Sequence, residues 1–308
     1  MIPDFPNFKK IELADRPAIE TFTSKYPCYS DFNFTSFWAW DTSEERQISV
    51  LNDNLIARFT DYGTQEPFFS FLGTTNTERT LVQLIEYART FGMSSLALVP
   101  EISIHNVDTS RFVITPDQDN FDYIYLTSRI AAMNGNQYKS KRRGYESFVE
   151  ANPSARVDFT HLHISSIQKQ VLSITRDWEQ RKHLEHGVDK AEIREAELEE
   201  FAIGRLFEMA ESQDLFVGIL FVEDTPTAFT IEELLPHKYS LGHFWKSRGT
   251  HPYDYNFLAR ETARELVKRG IVYWNWEQNL GIESLRTSKS SYRPSDFLKK
   301  FKVLFSPQ

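Results

Sequence analysis

The sequence holds one cysteine, Cys28, among 308 residues. No disulfide can close within the chain, and no zinc site built on cysteine pairs is available. Long hydrophobic runs are missing too. The strongest, GILFV and LALV, are the length of core strands and far short of the ~20 apolar residues that a membrane-spanning helix needs. The stretch MIPDFPNFKK lacks the apolar core of a signal segment. With the lone thiol, these absences lead to the expectation of a cytoplasmic protein. Positive charge is in deficit, with 35 Lys and Arg against 43 Asp and Glu and a net charge of −8. A nucleic-acid binder of the generally basic type is excluded, so any contact with RNA has to use a local patch. Also absent are the G-x-S-x-G elbow, the Walker loop, H-E-x-x-H and the dinucleotide fingerprint, each in its strand–helix setting.

What is present is a globular composition, 41% apolar and 25% charged, over a length that suits two domains. Aromatics are plentiful, with 25 Phe, 13 Tyr and 6 Trp, and most of them serve large cores. Thr77 to Phe91 reads as a helix, because Leu81, Leu84, Ile85 and Ala88 share one face and Gly92 follows as a stop. Strands pair across Asn52-Asp53-Asn54 and across Glu223-Asp224-Thr225-Pro226, both turn sequences. Phe112 to Thr115 and Phe121 to Leu126 read as a further pair of strands. Residues 67 to 100 run strand, loop, helix, glycine, strand, and so do residues 239 to 277. Ala151-Asn152-Pro153-Ser154 is a polar break with a proline, which sets expected domains at 1–150 and 151–308.

The most informative stretch is IVYWNWEQNLGIESLRTSKSSYRP, Ile271 to Pro294. Ile271 to Gln278 is a strand by content, and alternation predicts Asn275 and Glu277 on one face. A short helix from Ile282 to Tyr292 carries Arg286, Lys289 and Arg293 at spacings of three and four, on one face. A carboxylate beside a basic helical face suits an anionic substrate. On spacing alone, a buried Glu–Arg pair fits equally well.

The run Asn275 to Pro294, N-x-E-Q-N-L-G-I-E-x-L-R-x-x-K-x-S-Y-x-P, resembles the signature of the family of the phosphatidylglycerol lysyltransferase C-terminal domain. So do D-Y-I-Y at Asp122 to Tyr125, G-N-Q-Y-K-S-K-R-R at Gly135 to Arg143, H-F-x-K at His243 to Lys246 and the aromatic segment Ser30 to Trp40. Asn279, Ser284 and Trp276 depart from the residues usual there. The resemblance implies an α/β (α+β) fold of two tandem GNAT-like acyltransferase domains. Each is a mixed, mostly antiparallel sheet flanked by helices, an order that the repeat above matches. It implies aminoacyl transfer from an aminoacyl-tRNA to a lipid, peptide or small-molecule acceptor, the lipid being met at a membrane surface.

No separate cofactor is expected. The runner-up donor is an acyl-CoA, but its R/Q-x-x-G-x-G/A loop is missing from both equivalent segments, GTTNTERT from Gly73 and SRGTHPYDYNF from Ser247. A binding protein that kept the fold without catalysis is the third reading. Under the first, Glu277 takes a proton or binds the donor's ammonium, and Lys246 and Arg286 meet phosphate or oxyanion. Asn275 and Gln278 orient the acyl group, with His243, Lys289, Tyr292 and Arg293 also at the substrate. Tyr292 either relays a proton or packs. Lys139, Lys141, Arg142 and Arg143 form one candidate tRNA patch and Arg286 to Lys302 a second. One pocket is expected in the second half, bounded by Lys246, Asn275, Glu277 and Arg286. No metal is expected: His161 with His163, and His183 with His186, Glu185 and Asp189, read as surface residues. Oligomeric state is left open by the sequence.

Overall fold

Two hairpins show how local sequence sets the frame. Asn52 and Asp53 take left-handed φ values of 50° and 60°, and Glu223 and Asp224 take 50° and 63°. Paired left-handed residues make the two-residue turn whose twist matches the flanking strands. A computed structural model describes the chain apart from residues 62, 63, 65, 187–189, 211–214 and 307–308. The side chains of residues 183, 185, 186 and 190–196 are likewise outside the described set.

In chain order the elements are β1 (Lys9–Lys10), α1 (Arg16–Thr23), α2 (Phe34–Ala39), β2 (Gln47–Leu51), β3 (Asn54–Thr60), β4 (Pro67–Leu72), α3 (Thr77–Arg89), β5 (Ser95–Pro100), α4 (Glu101–Ile104) and β6 (Phe112–Pro116). There follow β7 (Asp122–Leu126), α5 (Thr127–Ala132), α6 (Lys139–Ala151), β8 (Arg156–His161), α7 (Ser165–His186) and α8 (Lys190–Met209). The chain continues through β9 (Leu215–Val222), β10 (Thr225–Leu235), β11 (Tyr239–Ser247), α9 (Asp254–Lys268), β12 (Tyr273–Asn275), α10 (Glu283–Ser291), β13 (Asp296–Leu298) and β14 (Lys300–Phe305). The fold is mixed α/β, with mostly antiparallel sheets flanked by helices.

The chain forms two compact units. One is Met1–Asp122 with Gln278–Ile282 and Phe297–Gln308; the other is Tyr123–Glu277 with Glu283–Asp296. The division at Asp122 differs from the expected 1–150 and 151–308. The reason is that α5 and α6 pack on α9 and so join the second unit. In the first unit, sheet β1-β2-β3-β4 is followed by a separate sheet in the order β5-β14-β6. Its core gathers Ile56, Phe69 and Phe71 with the predicted apolar face of α3, Leu81, Leu84, Ile85 and Ala88. In the second unit, β8, β9, β10 and β11 form an antiparallel meander, β12 joins β11 in parallel, and β7 pairs antiparallel with β12. The α9 side chains Ala259, Ala263 and Leu266 pack there against Trp274 and Tyr125.

Strands β6 and β7 do not pair with each other, contrary to the sequence expectation. Instead β14, from the end of the chain, lies between β5 and β6, and β7, from the first half, lies between β12 and β13. Each half of the sequence lends a strand to the other's sheet.

A buried ion cluster fixes β14 in the first unit. The Lys300 ammonium donates to Asp122 at 2.7 Å and Ser30 at 3.3 Å and pairs with Asp31. Ser30 donates to Asp122 through both its N–H and its hydroxyl, and Gln278 donates to Asp31 at 2.8 Å. Three stretches that carry the family resemblance thus meet in a structural cluster. Gln278, expected at the acyl group, is one of its members.

Candidate active site

Strand β10 reads TPTAFTIEELL and is buried along most of its length. Alternation sends Glu232 to one face of the sheet and Glu233 to the other. On the first face Glu232 accepts from the Thr230 and Ser240 hydroxyls at 2.5 and 3.0 Å. It also accepts from the indole N–H groups of Trp274 and Trp245 at 2.8 and 3.2 Å. Burial pushes its pKa up to about 7, against the hydrogen bonds from Thr230, Trp274 and Ser240. Glu232→Leu should cost roughly 3 kcal/mol or more, because three buried donors and the half-buried Trp245 indole lose their acceptor. Urea unfolding measures it, and a loss below about 1 kcal/mol would show that the donors find other partners.

On the second face, Glu233 meets His243. The pairing of β10 with β11 slips between Ile231 and Glu232, whose partners are Phe244 and Gly242. His243 is therefore the extra residue of a β-bulge, a device that re-aims a side chain. Its Nε2 lies 3.0 Å from Glu233 Oε2, and its Nδ1 lies 3.9 Å from Glu277 Oε1. Burial opposes charging of this ring, but the hydrogen bond and charge of Glu233, then the charges of Glu277 and Glu232, outweigh it and raise the pKa.

Glu277 reaches this point by a route the sequence did not reveal. Strand β12 stops at Asn275 instead of running to Gln278. The Asn275 side-chain oxygen accepts the Glu277 N–H at 2.7 Å, a local turn that competes with the ladder, and Glu277 takes φ of 55°. Strict alternation of Asn275 and Glu277 is thereby lost. The parallel pairing of β11 with β12 ends at Leu241 opposite Asn275. His243 and Glu277 come two residues later on either side, facing each other where the strands part. The Glu277 side chain keeps 18% exposure, so its carboxylate is reachable from solvent while the His243 ring beside it is buried.

The other expected residues are spread more widely. Lys246 lies on the His243 face, but its ammonium bonds Glu199 of α8 and rests 3.4 Å over the Trp178 ring of α7. Burial lowers its pKa, against the pull of Glu199. Arg286 pairs with Glu283 at 3.5 Å on its own helix. The Lys289 ammonium donates to the Trp276 carbonyl. Tyr292 is buried against Trp276, with the Lys141 ammonium 4.1 Å over its ring. Arg293 is exposed, as are Lys139 and Arg143, and Arg142 donates to the Met133 and Gly135 carbonyls. Arg286 to Lys302 is not one basic patch, since Lys300 is wholly buried.

An open pocket of about 570 Å³ lies in the first unit, at the start of α3, between Asn76, Arg79 and Arg111. Among the described residues no group of three or more His, Cys, Asp and Glu is placed to hold a metal, and no helix is long and apolar enough to cross a membrane. The side chains of His183, His186 and Glu185, and residue Asp189, lie outside the described residues.

Glu232 and Glu233 were missed by the sequence reading. The signal was there, two adjacent carboxylates followed by Leu-Leu and preceded by Ala-Phe-Thr-Ile in a strand.

The loop after β11 bears on the choice of donor. Asp254 opens α9 and is buried. Its carboxylate accepts from the Ser247 hydroxyl and from the Tyr255 N–H. The Arg181 guanidinium lies against Gly249, 2.6 Å from where a Cβ would sit. The start of this helix is thus filled by the chain's own carboxylate.

A family model described as "Phosphatidylglycerol lysyltransferase, C-terminal" matches residues 25–304. No curated protein matches the sequence. Among solved structures, a conserved protein of unknown function from Bacteroides thetaiotaomicron superposes with a TM-score of 0.82 at 26% identity, covering 99% of this chain and 100% of that one. The C-terminal domain of a putative lysylphosphatidylglycerol synthetase from Agrobacterium fabrum gives 0.64 at 9% identity, over 94% of this chain and 91% of that one. L-PGS from Bacillus licheniformis gives 0.63 at 12% identity, over 99% and 93%.

Proposed function

Because the chain belongs to the family of the phosphatidylglycerol lysyltransferase C-terminal domain, we propose that it transfers an aminoacyl group from an aminoacyl-tRNA to a lipid, peptide or small-molecule acceptor. The observation that carries the reading is the facing of Glu277 and His243 where β11 and β12 part. An ester-activated acyl group needs little activation; it needs a held nucleophile and a proton acceptor. Glu277 takes the proton of the acceptor as its nucleophilic atom bonds to the acyl carbon. When the tetrahedral intermediate collapses, the bond from that carbon to the ribose oxygen breaks and the proton passes to that oxygen. Lys139, Lys141, Arg143 and Arg293 of the second unit are the residues for RNA phosphates. The first three have no ion-pair partner among the described residues.

Acyl-CoA is the less favoured donor. A diphosphate arriving at the start of α9 would meet the buried Asp254 carboxylate where it needs free N–H groups. A cytoplasmic setting and a tandem of two GNAT-like repeats are part of the proposal. So is a lipid acceptor, if used, approached from the membrane surface.

The test is incubation with a complete set of charged tRNAs and candidate acceptors, following deacylation and labelled product. With about four phosphates engaged, affinity should fall roughly fiftyfold between about 50 and 200 mM salt. Tight acetyl-CoA binding that ignores salt would overturn the choice of donor.

A further inference from the structure

We propose that His243 acts as an imidazolium whose Nδ1–H meets the oxyanion formed at the acyl carbon, and that Glu233 is the positioning residue that holds it in this state. The proposal rests on the transfer reading above and adds to it a donor and a support for that donor.

Geometry comes first. A carboxylate only accepts, so the 3.0 Å contact with Glu233 puts a hydrogen on Nε2. Nδ1 then looks away from Glu233, toward the parting of the strands. It is buried and has no hydrogen-bond partner among the described residues. Glu277 stands 3.9 Å from it, beyond hydrogen-bond reach. The side chain is 1% exposed, so bulk water does not serve it. A buried polar atom left open beside a solvent-reachable carboxylate calls for a ligand atom. The bulge adds a reason for the placement, because it turns this one ring out of the ladder.

Charge settles which kind of atom is wanted. Two carboxylates face the ring, Glu233 from β10 and Glu277 from the turn after β12, and Glu232 adds a weaker pull from the opposite face of the sheet. Lys246 on its own strand spends its charge on Glu199. A neutral ring would leave the facing carboxylates uncompensated, whereas an imidazolium answers them and presents a second N–H. The raised pKa of His243 agrees in direction. During transfer the nucleophile gives its proton to Glu277, the new bond forms at the acyl carbon, and the carbonyl electron pair moves onto oxygen. That oxygen accepts from Nδ1–H until the ribose oxygen leaves. No oxidant or further reactant is needed.

The experiment reads the ring and the rate separately. Imidazole ¹⁵N signals, assigned by their loss in His243→Gln, should show both nitrogens protonated at neutral pH in the folded chain. Glu233→Gln should lower the titration midpoint by about one unit or more. It should cut kcat at least about tenfold while KM stays nearly constant. The alkaline limb of the pH–rate profile should move with the midpoint. A neutral ring in the wild-type protein, or a pH profile that Glu233→Gln leaves in place, overturns the proposal. If Glu233→Gln does not fold, Glu277→Gln is read by the same signals, and an unmoved midpoint there overturns it too. Transfer by a chain with a neutral ring sinks this proposal alone. A charged ring in a chain that transfers nothing from any charged tRNA sinks the transfer reading.

Discussion

Replacing Lys300 by methionine should lower the unfolding free energy by about 3–5 kcal/mol, the usual cost of removing one partner from a buried ion pair. The ammonium is the positive charge that Asp122 and Asp31 share, and Asp122 is as deeply buried as the lysine. Methionine fills much of the volume, so the loss measures the uncompensated carboxylates and not a cavity. The pH dependence follows from the sign of the shift. Burial works against the charged lysine, but Asp122 and Asp31 outweigh it and raise its pKa above 10.5. Its contribution is therefore complete below that ordinary value and is lost only as pH climbs through the raised one. At neutral pH the full difference between wild type and variant should appear in urea unfolding curves. A difference below about 1 kcal/mol would mean that the cluster is not what holds β14. Adding Asp122→Asn to Lys300→Met should recover part of the loss, because the neutral amide removes an uncompensated buried charge and still offers Ser30 an acceptor.

Glu277→Gln should lower transfer by about a hundredfold and leave the fold intact. The change is nearly isosteric, the side chain is partly exposed, and the backbone N–H keeps its Asn275 acceptor. The amide cannot take a proton from the acceptor, so kcat should carry the loss. Near wild-type transfer by this variant, with transfer abolished by Arg286→Ala, would remove Glu277 from proton transfer and give that task to the substrate. An unfolded Glu277→Gln protein would instead show that the carboxylate is structural, held as part of the charge balance around His243.

The regular parts of the fold were legible because they follow local rules. The helix at Thr77 and both two-residue hairpins lie where apolar spacing and turn residues place them. So does the helix that ends before Gly270. Glu277 was singled out, but for a reason that failed. Asn275 turns the chain with its own side chain, and one local hydrogen bond ends a strand whose composition favours continuing. The bulge at His243 was invisible for a similar cause, since a slip of one residue between β10 and β11 is decided by packing on both faces. The partner of β7 was illegible altogether. Alternation tells which face of DYIYL is buried, not which of several apolar strands lies alongside. The adjacent carboxylates of β10 were the overlooked clue, for such a pair persists in an apolar strand only where each side chain has partners.

The exchange of β7 and β14 also governs the order in which the chain can be finished. As the protein leaves the ribosome, β5 and β6 emerge early with the place between them empty, and the strand that fills it is made long afterwards. The first unit must wait with two exposed sheet edges, each a template for pairing with other chains. Its last step of assembly depends on residues made after most of the second unit. Expressed separately, neither half of the sequence carries a full set of strands. The two halves mixed in one solution should restore the missing edges for each other.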